Sequence, residues 1–277
     1  MSDFFAERDW MGLTDVIETD TEFIPLISPE DEDRMNLEEV PDKLPILPLR
    51  NNVLFPGVVI PITLGRDKSI KLIQDAYKGN KIIGVVSQID SSVEEPQYAD
   101  LFKIGTVAQI IRMLKMPDGS STIINQGKKR LKLVEELSAE PYLVAKIEEF
   151  EEKRLKKMSK ESLALFDSLK DLALNIIKNS PNIPSEAAFA IKNIESPNFL
   201  VNFISSHMNA EVDQKQKMLE EPDIHKRAQL LMKHLNKELQ MLELKNDIQT
   251  RVKSDLDQQQ KEFFLHQQMR EIQNQLG

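Results

Sequence analysis

The chain has 277 residues, of which 40% are hydrophobic, 6% aromatic and 29% charged, a composition typical of a globular protein. It has no cysteine, which excludes disulfide scaffolds, thiolate zinc sites and cysteine nucleophiles. No run approaches the roughly 18 to 20 apolar residues that a membrane crossing needs, and the first residues lack the features of a signal peptide. We therefore expect a cytoplasmic protein with two folded units and extensions, and with no membrane partner.

Residues 1–40 carry most of the negative charge. They contain thirteen acidic residues and two arginines, whereas the whole chain has a net charge of −9, so the remaining residues are close to neutral. The apolar residues of this segment follow no sustained period, which predicts a disordered extension. The alternative is a linear motif whose aromatic residues dock on a partner. Because a nearly neutral body lacks the basic surface that phosphate binding requires, nucleic acid is not an expected partner.

Residues 41–150 have the pattern of a β-rich domain. Short apolar runs alternate with glycine and proline turns, and eight of the nine glycines lie at or before Gly127. About six strands around one helix indicate a small mixed β-barrel. The predicted elements are an edge strand at Leu44–Leu49, a helix at Ser69–Tyr77, a hairpin joining Thr106–Met116 to Ser121–Gln126 through Asp118-Gly119, and a further strand at Arg130–Leu137.

The apolar period changes to 3.6 residues after about residue 155, which predicts a helical bundle over 151–222. Within it, Ser196-Pro197 has the pattern of an N-cap followed by proline at the first helical position. Residues 223–277 contain no proline and no glycine before Gly277, and at 1.5 Å per residue they predict one helix of roughly 80 Å. Polar residues interrupt its heptad seam, so we favour a projecting strut over a two-stranded coiled coil.

The sequence contains no recognisable catalytic motif. Gly127 is not preceded by the glycine of a nucleotide-binding loop, and no histidines have the HExxH spacing of a zinc site. We interpret the acids of Glu148–Glu152 as solvated helix charge, the basic run Lys128–Lys132 as a charged strand edge, and the four histidines as satisfied surface groups. Nothing in these patterns supports catalysis by this chain.

Three runs of the sequence carry a family resemblance. They are LPILPLRNNVLFPG at 44–57 with its continuation through GRDKSI at 65–70, LFKIGTVA at 101–108 running on to MPDG at 116–119, and QKEFFLHQQMREIQNQLG at 260–277. In order and spacing these runs resemble the amino-terminal region of Lon protease. The resemblance covers about 44–277 and leaves out the acidic residues 1–40.

The resemblance implies an α+β fold, in which a PUA-like mixed β-barrel domain is followed by a helical bundle and one long projecting helix. With the acidic extension (1–40), which lies outside the resemblance, we expect four parts, the others being the β-rich domain (41–150), the bundle (151–222) and the long helix (223–277). It also implies a longer, homohexameric, ATP-dependent serine protease whose ATPase domain would follow this chain. ATP and magnesium would bind to that longer protein, and no cofactor or catalytic residue is expected here.

The implied partners are unfolded or degron-bearing protein substrates, which exposed apolar surface would recognise. The candidate substrate contacts are Val53, Leu54, Phe55 and Pro56 in the first loop, and Met113, Leu114 and Met116 before the hairpin turn. Candidates for docking on a further domain or subunit are Phe263, Phe264 and Leu265. The alternatives are a free-standing adaptor module and a helical scaffold, which the reading frame after Gly277 would distinguish.

Overall fold

The computed structural model describes residues 27–115, 121–152, 159–180, 183 and 185–276. Six strands form one mixed sheet, in which only the β1–β3 pair is parallel. The spatial order is β2-β5-β4-β3-β1-β6, and β6 also pairs with β5, so five strands close a circuit and β2 lies outside it. The strands are β1 Lys43–Leu49, β2 Val59–Leu64, β3 Ile82–Ser87, β4 Ile104–Lys115, β5 Ser121–Ser138 and β6 Val144–Glu149.

The 18-residue strand β5 makes the barrel irregular, because its first half pairs with β2 and its second half with β6. The prediction of two strands in this region was therefore wrong. Gly127 lies in the middle of the strand, where the sequence suggested a break. A Cβ at this position would lie 2.2 Å from the Phe55 carbonyl oxygen, so the glycine permits a close backbone approach and makes no turn.

Strand β1 lies between β3 and β6, so the prediction of an edge strand was also wrong. Its two neighbours pair with different halves of the strand: β6 with Lys43–Pro45 and β3 with Ile46–Leu49. Each half therefore has one side that needs no ladder hydrogen bond from a strand neighbour. This division explains how a strand inside the sheet accommodates two prolines.

Seven α-helices complete the described part of the chain, and the predicted Ser196 cap of the fifth is confirmed. The Ser196 hydroxyl accepts a hydrogen bond from the Phe199 amide at 3.2 Å, and Pro197 is the first residue of that helix. The predicted helix near Ser69–Tyr77 is confirmed with slightly wider bounds. The helices are α1 Pro29–Leu37, α2 Asp67–Lys78, α3 Lys160–Asn179, α4 Ser185–Asn193, α5 Pro197–His207, α6 Val212–Glu220 and α7 Ile224–Leu276.

The described end of the acidic segment is helical, which corrects the prediction of disorder for residues 27–40. Ser28 caps α1 by accepting a hydrogen bond from the Asp31 amide at 3.1 Å, with Pro29 at the first helical position. Ile27 and Met35 are buried in the main core. Residues 1–26 lie outside the described part of the chain.

The main hydrophobic core is continuous from the sheet into the helices. It contains Leu54 and Ile110 from the β-rich region together with Leu169, Phe203 and Leu231 from the helical region. A second, smaller cluster lies within the strand circuit around Ile46 and Leu131. The division of the chain at residue 150 stays a prediction, since the core does not stop there.

Helix α7 runs unbroken over 53 residues, Ile224–Leu276, which corresponds to about 80 Å. Its buried residues are all near its start: Ile224, Arg227, Ala228, Leu231 and Leu235. Every residue from Asp247 to Leu276 is exposed. The predicted long projecting helix is therefore confirmed.

Candidate functional site

The loop after β1 does not offer the apolar surface that the sequence suggested. Val53, Leu54 and Phe55 are 0%, 1% and 0% exposed, and Pro56 is half-buried. The expectation of exposed apolar groups was therefore wrong for the first three residues. Apolar side chains gain more free energy from permanent burial in the core than from exposure to water with occasional burial against a partner. An apolar run in a loop is therefore weak evidence for a binding surface.

Hydrogen bonds fix this loop against the strands and the helices. The Thr106 hydroxyl donates to the Leu54 carbonyl oxygen at 2.6 Å, and the Gly57 amide donates to the Gly127 carbonyl oxygen at 2.9 Å. On the other side, the Asn202 side-chain amide donates to the Pro56 carbonyl oxygen at 3.1 Å. The loop thus joins β4, β5 and helix α5, and it serves as scaffold.

The second group of candidates lies at the end of β4, where this strand pairs with the start of β5. Met113 and Leu114 are half-buried, and Met113 packs against the main core. Ile111, which sequence reasoning missed, is 48% exposed on the same strand. Met116 lies outside the described residues. Met113 is roughly 16 Å along β4 from the residue that pairs with Gly127, so this end of β4 and the first loop form no common surface.

One edge of this end of β4 has no strand neighbour among the described residues. Strand β3 pairs with β4 only as far as Gln109, while β5 pairs with it to Lys115. No described strand pairs with Ile111–Lys115 on the side away from β5. We call the segment Ile111–Lys115 with its exposed apolar groups the β4 arm. Unpaired strand edges can bind extended peptides through backbone hydrogen bonds.

A buried charge cluster holds the sheet to the bundle. Glu152 accepts hydrogen bonds from Arg130 at 3.0 Å and from Arg227, and these arginines are 3% and 0% exposed. Arg227 also donates to the Asn202 side-chain oxygen at 2.9 Å, and Arg130 to the Glu221 carbonyl oxygen at 3.0 Å. Burial lowers the pKa of Arg130, and the neighbouring Glu152 carboxylate opposes that change.

This cluster corrects two interpretations of the charged runs. Arg130 is buried at a junction, whereas the sequence suggested a charged strand edge, and Glu149 ends strand β6, whereas the sequence suggested a helix. The sequence contained one signal that could have found this cluster. Arg227 lies on the apolar face of α7, the face that carries Ile224, Ala228 and Leu231. A charged residue on the apolar face of a helix indicates a buried partner.

A second polar cluster lies at the start of α7. His207 is half-buried, its Nδ1 atom lies 2.8 Å from the Phe203 carbonyl oxygen and its ring packs on that of Phe203, so the prediction of a surface histidine was wrong for this residue. Burial lowers its pKa to about 4. Burial also raises the pKa of Glu238 to about 7, against the effects of the Asn209 backbone and of Lys215. The Lys215 ammonium donates to the Ser206 carbonyl oxygen at 2.8 Å. These groups join α5, α6 and α7 and have the character of a packing contact.

The third group of candidates lies far from both clusters. Phe263, Phe264 and Leu265 are 66%, 59% and 51% exposed near the end of α7, as expected for groups that could dock on another partner. No cluster of three potential metal ligands occurs among the described residues. Within the same part of the chain, none of the helices is long and apolar enough to span a bilayer.

The sequence matches the family model described as the ATP-dependent protease La (LON) substrate-binding domain over residues 43–237. The chain belongs to this family. It is 60% identical over 260 residues to Lon protease of Flavobacterium johnsoniae, covering 94% of this chain and 32% of that protein. It is 51% identical over 256 residues to Lon protease of Cytophaga hutchinsonii, covering 92% and 32%. The chain thus spans about a third of the length of these relatives.

Two solved Lon structures share the fold. The N-terminal domain of Mycobacterium avium complex Lon protease superimposes with a TM-score of 0.58 at 18% identity, covering 70% of this chain and 98% of that domain. A Lon N-terminal domain protein from Xanthomonas campestris gives a TM-score of 0.51 at 18% identity, covering 69% and 96%. The α+β fold expected from the resemblance to Lon is therefore confirmed, with an irregular barrel.

Proposed function

We propose that the β4 arm binds unfolded segments of protein substrates for a longer ATP-dependent protease. The observation that carries this proposal is that Ile111–Lys115 combines partly exposed apolar side chains with a strand edge on which no described strand pairs. Unfolded chains offer unpaired backbone donors and acceptors together with apolar side chains, and folded proteins offer few of either. The membership of the chain in a substrate-binding domain family supports the same function.

The chemistry of the arm fits sequence-tolerant recognition. Backbone hydrogen bonds at a strand edge do not depend on the side chains of the bound peptide. Met113 adds an unbranched, polarizable side chain that adapts to partners of different shape. Such a surface suits misfolded proteins, which expose their interior, and short-lived regulatory proteins whose degron is an unfolded segment.

Substitution of Ile111 tests the proposal. Ile111 is 48% exposed, so Ile111→Glu changes the surface without opening the core. Val134→Glu is the matched control, because Val134 is 41% exposed on the far half of β5 and the variant adds the same charge. The measurement is the Kd for fluorescent, reduced and carboxymethylated lactalbumin, a permanently unfolded protein.

We expect Ile111→Glu to weaken this binding by about tenfold. The variant loses the burial of one large apolar side chain against the bound segment, and it places a carboxylate in the same contact. Val134→Glu should leave the Kd within a factor of two. Equal weakening by both variants would indicate a general effect of charge, and an unchanged Kd for Ile111→Glu would show that the arm is not the binding surface.

We further infer that the exposed end of α7 contributes to assembly of the longer protease, with homohexamers as the assembled form. Three adjacent large apolar residues, Phe263, Phe264 and Leu265, are otherwise costly to leave in water. In the full-length protease, which would bind ATP and magnesium, Phe263→Ser with Phe264→Ser should reduce the hexameric fraction in light scattering. Ile248→Ser, at 53% exposure on the same helix, is the control. An unchanged hexameric fraction would contradict the inference.

A further inference from the structure

Residues 27–41, which we call the N-terminal strap, cross the junction between the sheet and the bundle. Only Ile27 and Met35 of the strap are buried, at 6% and 7% exposure. They are eight residues apart, with Met35 on the inward face of α1 and Ile27 just before the helix begins. Leu37 on the same helix is 83% exposed. The strap is therefore attached mainly through two buried apolar anchors, and Val40 packs partly against the second cluster.

The anchors enter a groove whose floor depends on a glycine. A Cβ on Gly57 would lie 2.8 Å from a ring carbon of Phe199 and 3.1 Å from the Cδ1 atom of Ile27. Gly57 also has a φ of +82°, which a residue with a side chain rarely adopts. The groove thus lies between the first loop and helix α5, where the absence of a side chain makes room for an apolar group.

Two small depressions border the strap. One of about 30 Å³ lies between Met35, Pro56 and Phe199, and another of about 20 Å³ lies beside Glu38 and Val40. Both depressions are open to solvent and large enough for a water molecule, so the strap does not seal the groove along its whole length.

Two acidic residues of the strap have polar partners in the groove. The Lys128 ammonium lies 3.3 Å from the Glu38 carboxylate, and the Ser196 hydroxyl at the start of α5 donates to the Glu32 carboxylate. The Glu38 side chain is 53% exposed, and ion pairs exposed to this degree contribute little to stability. Polar contacts of this kind orient the strap without holding it firmly.

From these contacts we propose that the groove is a docking site for a substrate segment with two apolar residues about eight positions apart on an acidic background, and that the strap is its resident occupant, displaced when the substrate binds. The strap itself demonstrates the chemistry that the groove accepts. The groove and the β4 arm are separate surfaces on the same strand, since β5 pairs with the arm through Ser121–Ile124 and contributes Lys128, further along, to the groove. The proposal rests on the proposed function in that the occupant is a substrate segment.

Locking the strap gives the decisive experiment. The chain has no cysteine, so Glu38→Cys with Lys128→Cys creates one pair that a short bismaleimide can join in place of the two side chains. The same variant capped with N-ethylmaleimide is the matched control, because it carries the same substitutions without the link. The Kd for unfolded, carboxymethylated lactalbumin is measured for both forms of the full chain.

We expect the linked form to bind at least fivefold more weakly than the capped form. Equal Kd values for the two forms would overturn the proposal. The outcome is independent of the arm experiment: if Ile111→Glu has no effect but the link weakens binding, the groove is the binding site and the arm is not. If Ile111→Glu weakens binding and the link does not, the arm binds alone and the strap is only a structural part.

Release of the strap gives a second measurement on the groove itself. Ile27→Ser with Met35→Ser removes both anchors, and Leu37→Ser removes an exposed apolar residue of the same helix as the control. A fluorescent peptide of residues 27–41 should bind the released variant at least tenfold more tightly than either the unaltered chain or the control. Absence of peptide binding by a released variant that keeps its circular dichroism spectrum would contradict the proposal.

Discussion

The two halves of helix α7 have the same backbone structure and opposite surroundings. From Ile224 to Asn246 the helix packs on the bundle, with Leu231 at 0% exposure and the Asn246 side-chain amide bonded to the Asn179 carbonyl oxygen at 3.2 Å. We call this part the root. From Asp247 to Leu276 no residue is buried, and we call this part the rod.

The difference shows that a segment can form a helix without packing against the rest of the protein. A helix satisfies its own backbone hydrogen bonds, so the rod needs no partner to close them. Isolated helical segments are nevertheless marginally stable in water, because packing of an apolar face supplies most helical stability in proteins. The rod has apolar residues at Ile248, Val252 and Leu256, spaced by four, without a described partner for them. Stability of the chain should therefore reside in the root.

The largest effect should follow from Leu231→Ala in the root. Leu231 is fully buried, so the variant loses transfer free energy and leaves a cavity, at a cost of about 3 to 5 kcal/mol in the free energy of unfolding. Leu256→Ala is the same substitution in the rod, and it should cost less than about 0.5 kcal/mol. Urea denaturation measures both, and similar costs would show that the rod is packed.

The next largest effect should follow from Arg227→Ala. The substitution deprives Glu152 and Asn202 of a buried donor, but Glu152 keeps Arg130 as partner, so we expect a loss of about 2 to 3 kcal/mol. Arg251→Ala, at an exposed position of the rod, is the control and should be neutral within about 0.5 kcal/mol. A neutral Arg227→Ala would mean that the charge cluster does not hold the junction.

A smaller effect with a defined pH dependence should follow from Glu238→Gln. Burial raises the pKa of Glu238 from 4.5 to about 7, so the ionised carboxylate is disfavoured in the folded state and its cost grows as the pH rises from 4.5 through 7. The glutamine variant should be more stable than the unaltered chain by about 2 kcal/mol at pH 6, and the two should be equally stable well below the ordinary pKa of 4.5.

His207 acts in the opposite direction. Its pKa is lowered from 6.5 to about 4, so its contribution is complete above pH 6.5 and is lost as the pH falls towards 4. Thermal unfolding of the unaltered chain and of Glu238→Gln at a series of pH values measures how the stability of each depends on pH. A difference between Glu238→Gln and the unaltered chain that is independent of pH would contradict the assignment to this carboxyl.

The smallest effect should follow from ending the chain after Asn246. Because the rod buries nothing, its removal should leave the Tm of the remaining chain within about 2 °C. Amides of 247–276 should exchange with solvent near the rate of a fraying helix in the isolated chain. Strong protection of these amides, or a large fall in Tm, would show that the rod has a partner within the chain.

The elements that were predicted correctly from the sequence are those that depend on neighbouring residues. The Ser196-Pro197 cap, the helix at Asp67–Lys78 and the unbroken helix after Pro222 all follow from short-range capping, periodicity and the absence of glycine and proline. The family resemblance reached the fold class. The candidate residues on the β4 arm remain a prediction, and only their partial exposure is now established.

What only the tertiary structure decided is the surface on which each side chain lies. Apolar Val53–Phe55 became core and charged Arg130 and Arg227 became buried, because partners distant in sequence, including Gly127, Glu152 and Asn202, surround them in the fold. The sequence determined that this chain forms strands, a bundle and one long helix, since those depend on neighbouring residues. Burial is a sum over contacts between distant segments, and no local pattern contains that sum.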